Sequence, residues 1–467
     1  MRSMTASTLG ELKSSGWRDR SVKDEVRENF IARIRAGGSA FDGIIGYEDS
    51  VVPALERAIL AGHDIIFLGE RGQAKSRLIR LLAGLLDERT PVVAGCEVND
   101  SPLRPICAHC RTLVAEKGDD TPVLWLERER RYAEKLATPD TAVADLIGDV
   151  DPIRVAEGRY LSDELTIHYG LVPRTHRGIF SINELPDLPE RIQVALLNIL
   201  EERDVQIRGY NVRLPLDLLL VASANPEDYT NRGRIITPLK DRFGSEVRTH
   251  YPDDIVDEIE IMRQEARAPA HGISVIVPPF VEEVLAELTH HIRRSPHVNQ
   301  RSGVSVRFSI GALESMRASA VRRAVRAGEE EAVPRVSDLP GVIASSMGRI
   351  EFESFEEGRE QEILESLARK AVLDVFRRRL GGFDFNTLLS GFEAGATVDT
   401  GDLVPSAELV KQLGDVPGSM LKRLGVEQES PAVAASALEF ALEGLHLSRR
   451  LNKDRTARGA RYGRSPD

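Results

Sequence analysis

The sequence predicts an α/β fold, a parallel sheet covered by helices, followed by a long all-helical region. Three observations carry this reading. Between residue 44 and about residue 255, short apolar runs ("DIIFLG", "GIFSIN", "LDLLLVASAN") alternate with segments of helical period ("KSRLIRLLAGLLD", "LPERIQVALLNILEE"), as strands joined by crossover helices do. The first apolar run opens into a short polar loop with two glycines, and a leucine-rich helix follows it. After Pro252 the apolar runs give way to helical periodicity in "PPFVEEVLAELTHHIRR", "SIGALESMRASAVRRAVRAGEEE" and "GREQEILESLARKAVLDVFRRRL".

Composition bounds what such a chain does. Its 467 residues suggest about three domains, and 42% hydrophobic with 29% charged residues is a globular balance. A formal net charge of -11 lacks the basic excess of a nucleic-acid binder, so no nucleic-acid partner is expected. The start, "MRSMTASTLGELKSSGW", has no apolar signal region, and no stretch approaches the roughly 18 apolar residues of a membrane span. Three cysteines, Cys96, Cys107 and Cys110, do not make a disulfide framework. The expected setting is the cytoplasm.

In chain order, residues 1–43 read as an N-terminal segment of one or two polar helices, with "VKDEVRENFIARIRAG" ending at glycine. Residues 44–255 form the sheet-bearing core, interrupted at about 91–176 by an insertion with few strand signals. Residues 256–355 form a helical region, and residues 356–467 a second one. Within the latter, "EAGATVDTGDLVPSAEL" reads as a linker or long loop, and "SRRLNKDRTARGARYGRSPD" as a disordered basic tail.

The stretch "LGERGQAKS" is nearly a phosphate-binding loop. In such a loop consecutive backbone N–H groups curl around an anion at a helix N-terminus, a lysine reaches the outer phosphates, and a hydroxyl ligates Mg²⁺. Gly69 and Gly72 supply flexible backbone, Glu70, Arg71 and Gln73 fill the loop, and Lys75 and Ser76 stand at the lysine and hydroxyl positions. Ala74 departs from the pattern, which has glycine there. If that position needs a positive φ, the Cβ costs on the order of 1 kcal/mol.

A hydrolase of this kind needs a second strand ending in acids. "GIFSINELPDL" ends in Asn183 and Glu184. Asn183 stands where an aspartate is expected; its amide oxygen accepts a hydrogen bond but adds no charge. Glu184 is a candidate general base, or else a cap on the next turn. The third strand ends at Asn225, which can orient a lytic water or form an Asx turn. Arg242, in "LKDRFG", can reach a neighbouring subunit's γ-phosphate or make a surface ion pair. Arg307, at the start of a later helix, can report nucleotide state.

These motifs in this order resemble those of an AAA+ ATPase of the MoxR and magnesium-chelatase I-subunit group, over residues 40 to about 330. The likeness rests on "IIGYEDSVVPAL", the phosphate loop, "GLVPRTHRGIFSINELPDL", "LPERIQVALLNILEERDVQIRGYNVRLP", "ASANPED", "LKDRFG" and "VSVRFSIGAL". The stretch from "LATPDTAVADLIGDV" to "GLVPRTHRG" resembles a chelatase-type insertion that projects a hairpin. The resemblance implies a P-loop AAA+ αβα domain with a helical lid at 256–355. It makes Lys75 and Ser76 the Walker A residues, Asn183 and Glu184 Walker B, Asn225 sensor 1, Arg242 the arginine finger and Arg307 sensor 2. It implies ATP and Mg²⁺ as cofactors, a hexameric ring with sites between subunits, and a separate partner carrying a von Willebrand factor A domain. Alternatives within reach are a magnesium chelatase subunit proper, a sigma-54-type regulator, for which no G-A-F-T-G-A loop is found, and a weakly hydrolysing nucleotide-gated scaffold.

The cysteines lie together in "CEVNDSPLRPICAHC". Cys107 and Cys110 have C-x-x-C spacing, and Cys96 lies upstream. A zinc site would need a fourth ligand, Asp100 or a distant residue; otherwise the three are ordinary thiols.

Overall fold

The computed structural model describes residues 6–150, 166–202, 214–225, 234–267, 272–300, 302–353, 356, 358–401, 404–413, 416–426, 430–456 and 459–463. The chain divides into two units, Met1–His250 and Tyr251–Asp467.

The first unit opens with α1 (Leu9–Ser14), α2 (Val22–Arg35) and α3 (Val51–Ala61). Then come β1 (Ile65–Leu68), α4 (Lys75–Ala83), β2 (Arg89–Val93), α5 (Ala108–Lys117), β3 (Val123–Glu127), β4 (Tyr132–Leu136), β5 (Gly148–Val150), β6 (Ile167–Tyr169), β7 (Gly178–Asn183), β8 (Leu218–Ala224) and β9 (Ser245–Arg248). The main sheet has the order β4-β7-β8-β1-β9, and every pairing in it is parallel. Every residue of β1 and β8 is buried, which is why both read as unbroken apolar runs. Alternate side chains feed two cores. Ile66, Leu68, Phe180, Ile182, Leu220 and Ala222 pack with Leu196 and Ile199 of the helix Glu190–Glu202. Ile65, Phe67, Ile179, Leu219 and Val221 pack on the other face with α2, α3 and α4.

The N-terminal helices are less polar in use than in sequence. Ser21 caps α2, and Val22, Val26 and Phe30 bury one face of it against the sheet. Glu25, on the same helix, is also buried. It accepts two hydrogen bonds of 2.6 Å from the Arg131 guanidinium, which is 1% exposed and also donates to the Arg177 carbonyl.

The expectation of few strands between residues 91 and 176 is corrected. β2 and β3 pair antiparallel there, as do β5 and β6. β4 is a strand of the main sheet, in register with β7 from Tyr132↔Ile179 to Leu136↔Asn183. It reads "YAEKL" and lies at the sheet edge with its side chains half-buried or exposed, so it carries no apolar run. Most of the stretch between β5 and β6, where a projecting hairpin is expected, lies outside the described residues.

In the second unit one hydrophobic core extends from Met262 to Tyr462 and joins the two helical regions. Two further expectations are corrected here. The presumed linker contains a strand, Val398–Thr400, and the start of the helix Ser406–Leu413. The presumed disordered tail folds as an antiparallel hairpin, Asn452–Thr456 with Gly459–Gly463, and the latter strand pairs with Val398–Thr400. The cause is tertiary. Tyr462, 1% exposed, sends its hydroxyl to the Glu443 carboxylate, which Lys453 also meets at 2.6 Å, and Arg461 forks onto Asp399 at 2.7 and 2.9 Å. Among the described residues no helix is long and apolar enough to cross a membrane.

Candidate nucleotide site

Parallel strands deliver their C-terminal ends to one edge of the sheet, and ligands of such sheets bind there. β1, β7 and β8 lie side by side, so the loop after β1 and the polar residues ending β7 and β8 converge.

The loop is built by its glycines and one strained alanine. A Cβ on Gly69 would lie 2.0 Å from Thr249 Oγ1 and 2.2 Å from Gln73 Oε1, so only glycine fits. Gly72 has φ +74°. Ala74 has φ 55° and ψ 11°, left-handed, and directly precedes α4. The pattern's glycine position therefore does demand positive φ, and the alanine bears the cost. The loop is braced from behind. Gln73 Oε1 accepts from the Glu70 N–H at 2.9 Å and from the Thr249 hydroxyl at 2.8 Å. The Tyr47 hydroxyl reaches the carbonyls of Gln73 (3.0 Å) and His250 (2.7 Å), and burial pushes its pKa up. Arg71 and Ser76 are exposed, the latter in the first turn of α4.

Lys75 is only 8% exposed. Its ammonium donates to the carbonyls of Gly69 and Glu70 (2.8 Å to the latter) and to Asn225 Oδ1 at 2.7 Å. The Asn225 amide nitrogen in turn donates to Glu184 Oε2 at 2.7 Å. One amide thus joins the loop lysine to the acid ending β7. Glu184 itself sits at φ 56°, left-handed, with its N–H 3.4 Å from Ser223 Oγ. That backbone turns the carboxylate out of the strand direction, and a non-glycine residue held there is strained.

Asn183 donates its amide to Glu134 of β4 and accepts from Ser223 Oγ at 3.3 Å. Glu134 also accepts from the Tyr132 hydroxyl at 3.0 Å, and burial together with this carboxylate pushes the Tyr132 pKa up to about 12. The sequence reading did not single out Glu134. The carboxylate side chain that meets Asn183 comes from β4, three strands from the loop-bearing β1, the strand that the sequence concealed.

Arg242 ends the helix Thr237–Arg242 and is exposed, with its guanidinium on Glu201 (2.8 Å) and Asp241 (3.3 Å). Arg307 belongs to the second unit. It begins the helix Arg307–Ala327, is exposed, and its carbonyl accepts from Arg349 at 2.8 Å. The structure therefore brings together Gly69–Lys75, Asn183, Glu184 and Asn225, and Arg242 pairs instead with Glu201 and Asp241.

The Sigma-54 interaction domain model matches residues 157–241, which include β7, β8 and the acid. The Magnesium-chelatase 38 kDa subunit of Rhodobacter capsulatus is 30% identical over 229 residues, 48% of this chain and 59% of that protein. The chain is similar to AAA+ ATPases of the magnesium-chelatase-like group. Magnesium-chelatase subunit ChlI of Nostoc sp. is 27% identical to this chain over 256 residues, 53% of this chain and 63% of the relative. The chain spans about three fifths of the length of the curated relatives it matches. A solved complex between subunits BchI and BchD of magnesium chelatase has 23% identity, covers 70% of this chain and 98% of that one, and superposes with a TM-score of 0.36, too low to speak to function.

The residues present suit a nucleotide with its metal. The loop offers a left-handed turn of backbone ahead of a nine-residue helix, a buried ammonium beside it, and the exposed Ser76 hydroxyl in the first helical turn.

Proposed function

We propose that this AAA+ protein binds Mg-ATP at the loop Gly69–Ser76 and hydrolyses it, as a remodelling motor of MoxR or magnesium-chelatase type. The observation that carries the proposal is the bridge Lys75–Asn225–Glu184. It couples the group that would hold the outer phosphates to the group that would take a proton from the attacking water.

The roles follow from the chemistry of each side chain. The Lys75 ammonium and the loop N–H groups hold phosphate oxygens. Ser76 and Asn183 would hold Mg²⁺, which would neutralise phosphate charge when bound. Glu184 acts as general base, and Asn225 orients its carboxylate. Arg242, exposed at a helix end, would leave Glu201 to meet the γ-phosphate of a neighbouring protomer, and Arg307 would sense nucleotide state. The working form would be a hexameric ring in the cytoplasm, acting with a separate protein that carries a von Willebrand factor A domain.

Phosphate release with Mg-ATP, followed across a protein concentration series, tests this. Turnover per protomer that rises with concentration and vanishes in Lys75→Ala and Glu184→Gln is expected. ATP binding without phosphate release at any concentration would overturn hydrolysis by the chain alone and favour a nucleotide-gated scaffold, the reading that Ala74 and Asn183 support. The similarity to magnesium-chelatase subunits favours a second reading, the ATPase subunit of such a chelatase, and a rate gain in a reconstituted chelatase would distinguish it.

A further inference from the structure

The cysteines that the nucleotide chemistry does not use meet at one point. Cys96 lies just after β2, and Cys107 caps the N-terminus of α5, one turn before Cys110. Between β2 and α5 the chain runs through residues 94–107 without a helix or strand of its own. One donor atom from each of Cys96, Asp100, Cys107 and Cys110 falls within 4.8 Å of all the others. Asp100, Cys107 and Cys110 are buried, at 0, 4 and 0% exposure.

The surroundings of these four groups are those of anions. The Asp100 N–H approaches Cys96 Sγ at 3.3 Å, and the Cys110 N–H approaches Cys107 Sγ at 3.4 Å. Asp100 Oδ2 accepts from the N–H groups of both Ile106 and Cys107 at 2.9 Å. Asp100 Oδ1 is buried with no hydrogen-bond partner. A buried carboxylate oxygen without a partner is destabilising unless a cation meets it. His109, between the two cysteines of the pair, is exposed and outside the cluster.

We propose that Cys96, Cys107, Cys110 and Asp100 form a structural Zn²⁺ site. Three thiolates and one carboxylate are a complete tetrahedral donor set for this ion. Zn–S bonds of about 2.3 Å put neighbouring sulfurs about 3.8 Å apart. The observed spread is that of donors around one ion and leaves no room for a polynuclear cluster. The orphaned Oδ1 gains its partner, and the backbone N–H groups already in place stabilise the thiolates. A redox role for the C-x-x-C pair fits less well, because both thiols are buried from any oxidant or thiol partner. The ion would pin the 94–107 segment to α5.

The test uses the full chain, reconstituted with Zn²⁺ under reducing conditions and freed of excess metal by gel filtration. One zinc per chain is expected. Cobalt(II) substitution should give thiolate-to-metal charge-transfer absorption with tetrahedral d–d bands, and both signals should be lost in Cys107→Ser. Should that variant fail to fold, the wild-type chain serves alone: a chelator should remove one zinc per chain and expose three titratable thiols together. A folded wild-type chain without stoichiometric zinc overturns the site, as does zinc retained unchanged in folded Cys107→Ser. The readouts are independent of ATP, so failure here leaves the proposed ATPase untouched, and the reverse.

Discussion

The side-chain amide of Asn183 donates to the carboxylate of Glu134, across the pairing of β7 with β4. An uncharged residue thus stands where the resemblance expects an acid, and the neighbouring strand supplies the acid instead. Glu134→Gln should lower turnover on the order of 10- to 100-fold, as loss of an outer partner of a metal site does. Asn183→Asp alone should destabilise the fold by setting two carboxylates against each other, whereas Asn183→Asp with Glu134→Gln should recover activity. Phosphate release and thermal unfolding of the three variants check this; independent, additive effects would count against the exchange.

Ala74 holds a left-handed backbone that glycine adopts freely. Ala74→Gly should stabilise the first unit by about 1 kcal/mol, a shift of roughly 2–4 °C in its midpoint. Nucleotide affinity should rise or stay level. A lower midpoint in calorimetry would show that the alanine is not strained.

Arg131 and Glu25 form a buried, bidentate pair that ties α2 to the start of β4. Arg131→Met leaves the Glu25 carboxylate buried and short of its main partner, at a cost of about 3–5 kcal/mol. Replacing both residues by apolar ones should cost distinctly less than this single change. Urea unfolding of the single and double variants measures the coupling.

His176 is buried, accepts the Asp217 N–H at Nδ1 (2.9 Å), and has its pKa lowered to about 3 by burial and then by the neighbouring Arg177. The sign is fixed by proton count. Below about pH 6.5 the unfolded chain protonates this imidazole and the folded chain does not. Stability from this group should therefore fall with falling pH, by up to about 1.4 kcal/mol per pH unit between roughly 6.5 and 3, and be unaffected above. His176→Gln should flatten that part of the pH profile; an unchanged slope would place the effect elsewhere.

The elements legible in the sequence were those whose physics is local. β1, the phosphate loop and α4 follow one another within a single stretch, and β7 and β8 are covered on both faces and so spell their burial as apolar runs. Edge strand β4 escaped because half-buried "YAEKL" has nothing to spell, and Glu134 escaped with it. The C-terminal hairpin escaped for another reason. Its hold is Tyr462 on Glu443 and Arg461 on Asp399, partners 19 and 62 residues away, in a segment whose composition is otherwise that of a solvated tail. Asp100 was visible as a fourth donor; that its Oδ1 is left unpartnered was not.

The Lys75 ammonium, turned onto the Gly69 and Glu70 carbonyls and Asn225, also sets a thermodynamic condition. The conformer with this lysine folded back competes with the one that receives an anion. On the proposed reading, apparent affinity for ATP is the intrinsic affinity scaled by the fraction of molecules whose lysine has swung free. Any change that weakens the resting contacts enlarges that fraction. The strength of nucleotide capture is thus adjustable at Asn225, a side chain that need never touch the nucleotide to do so.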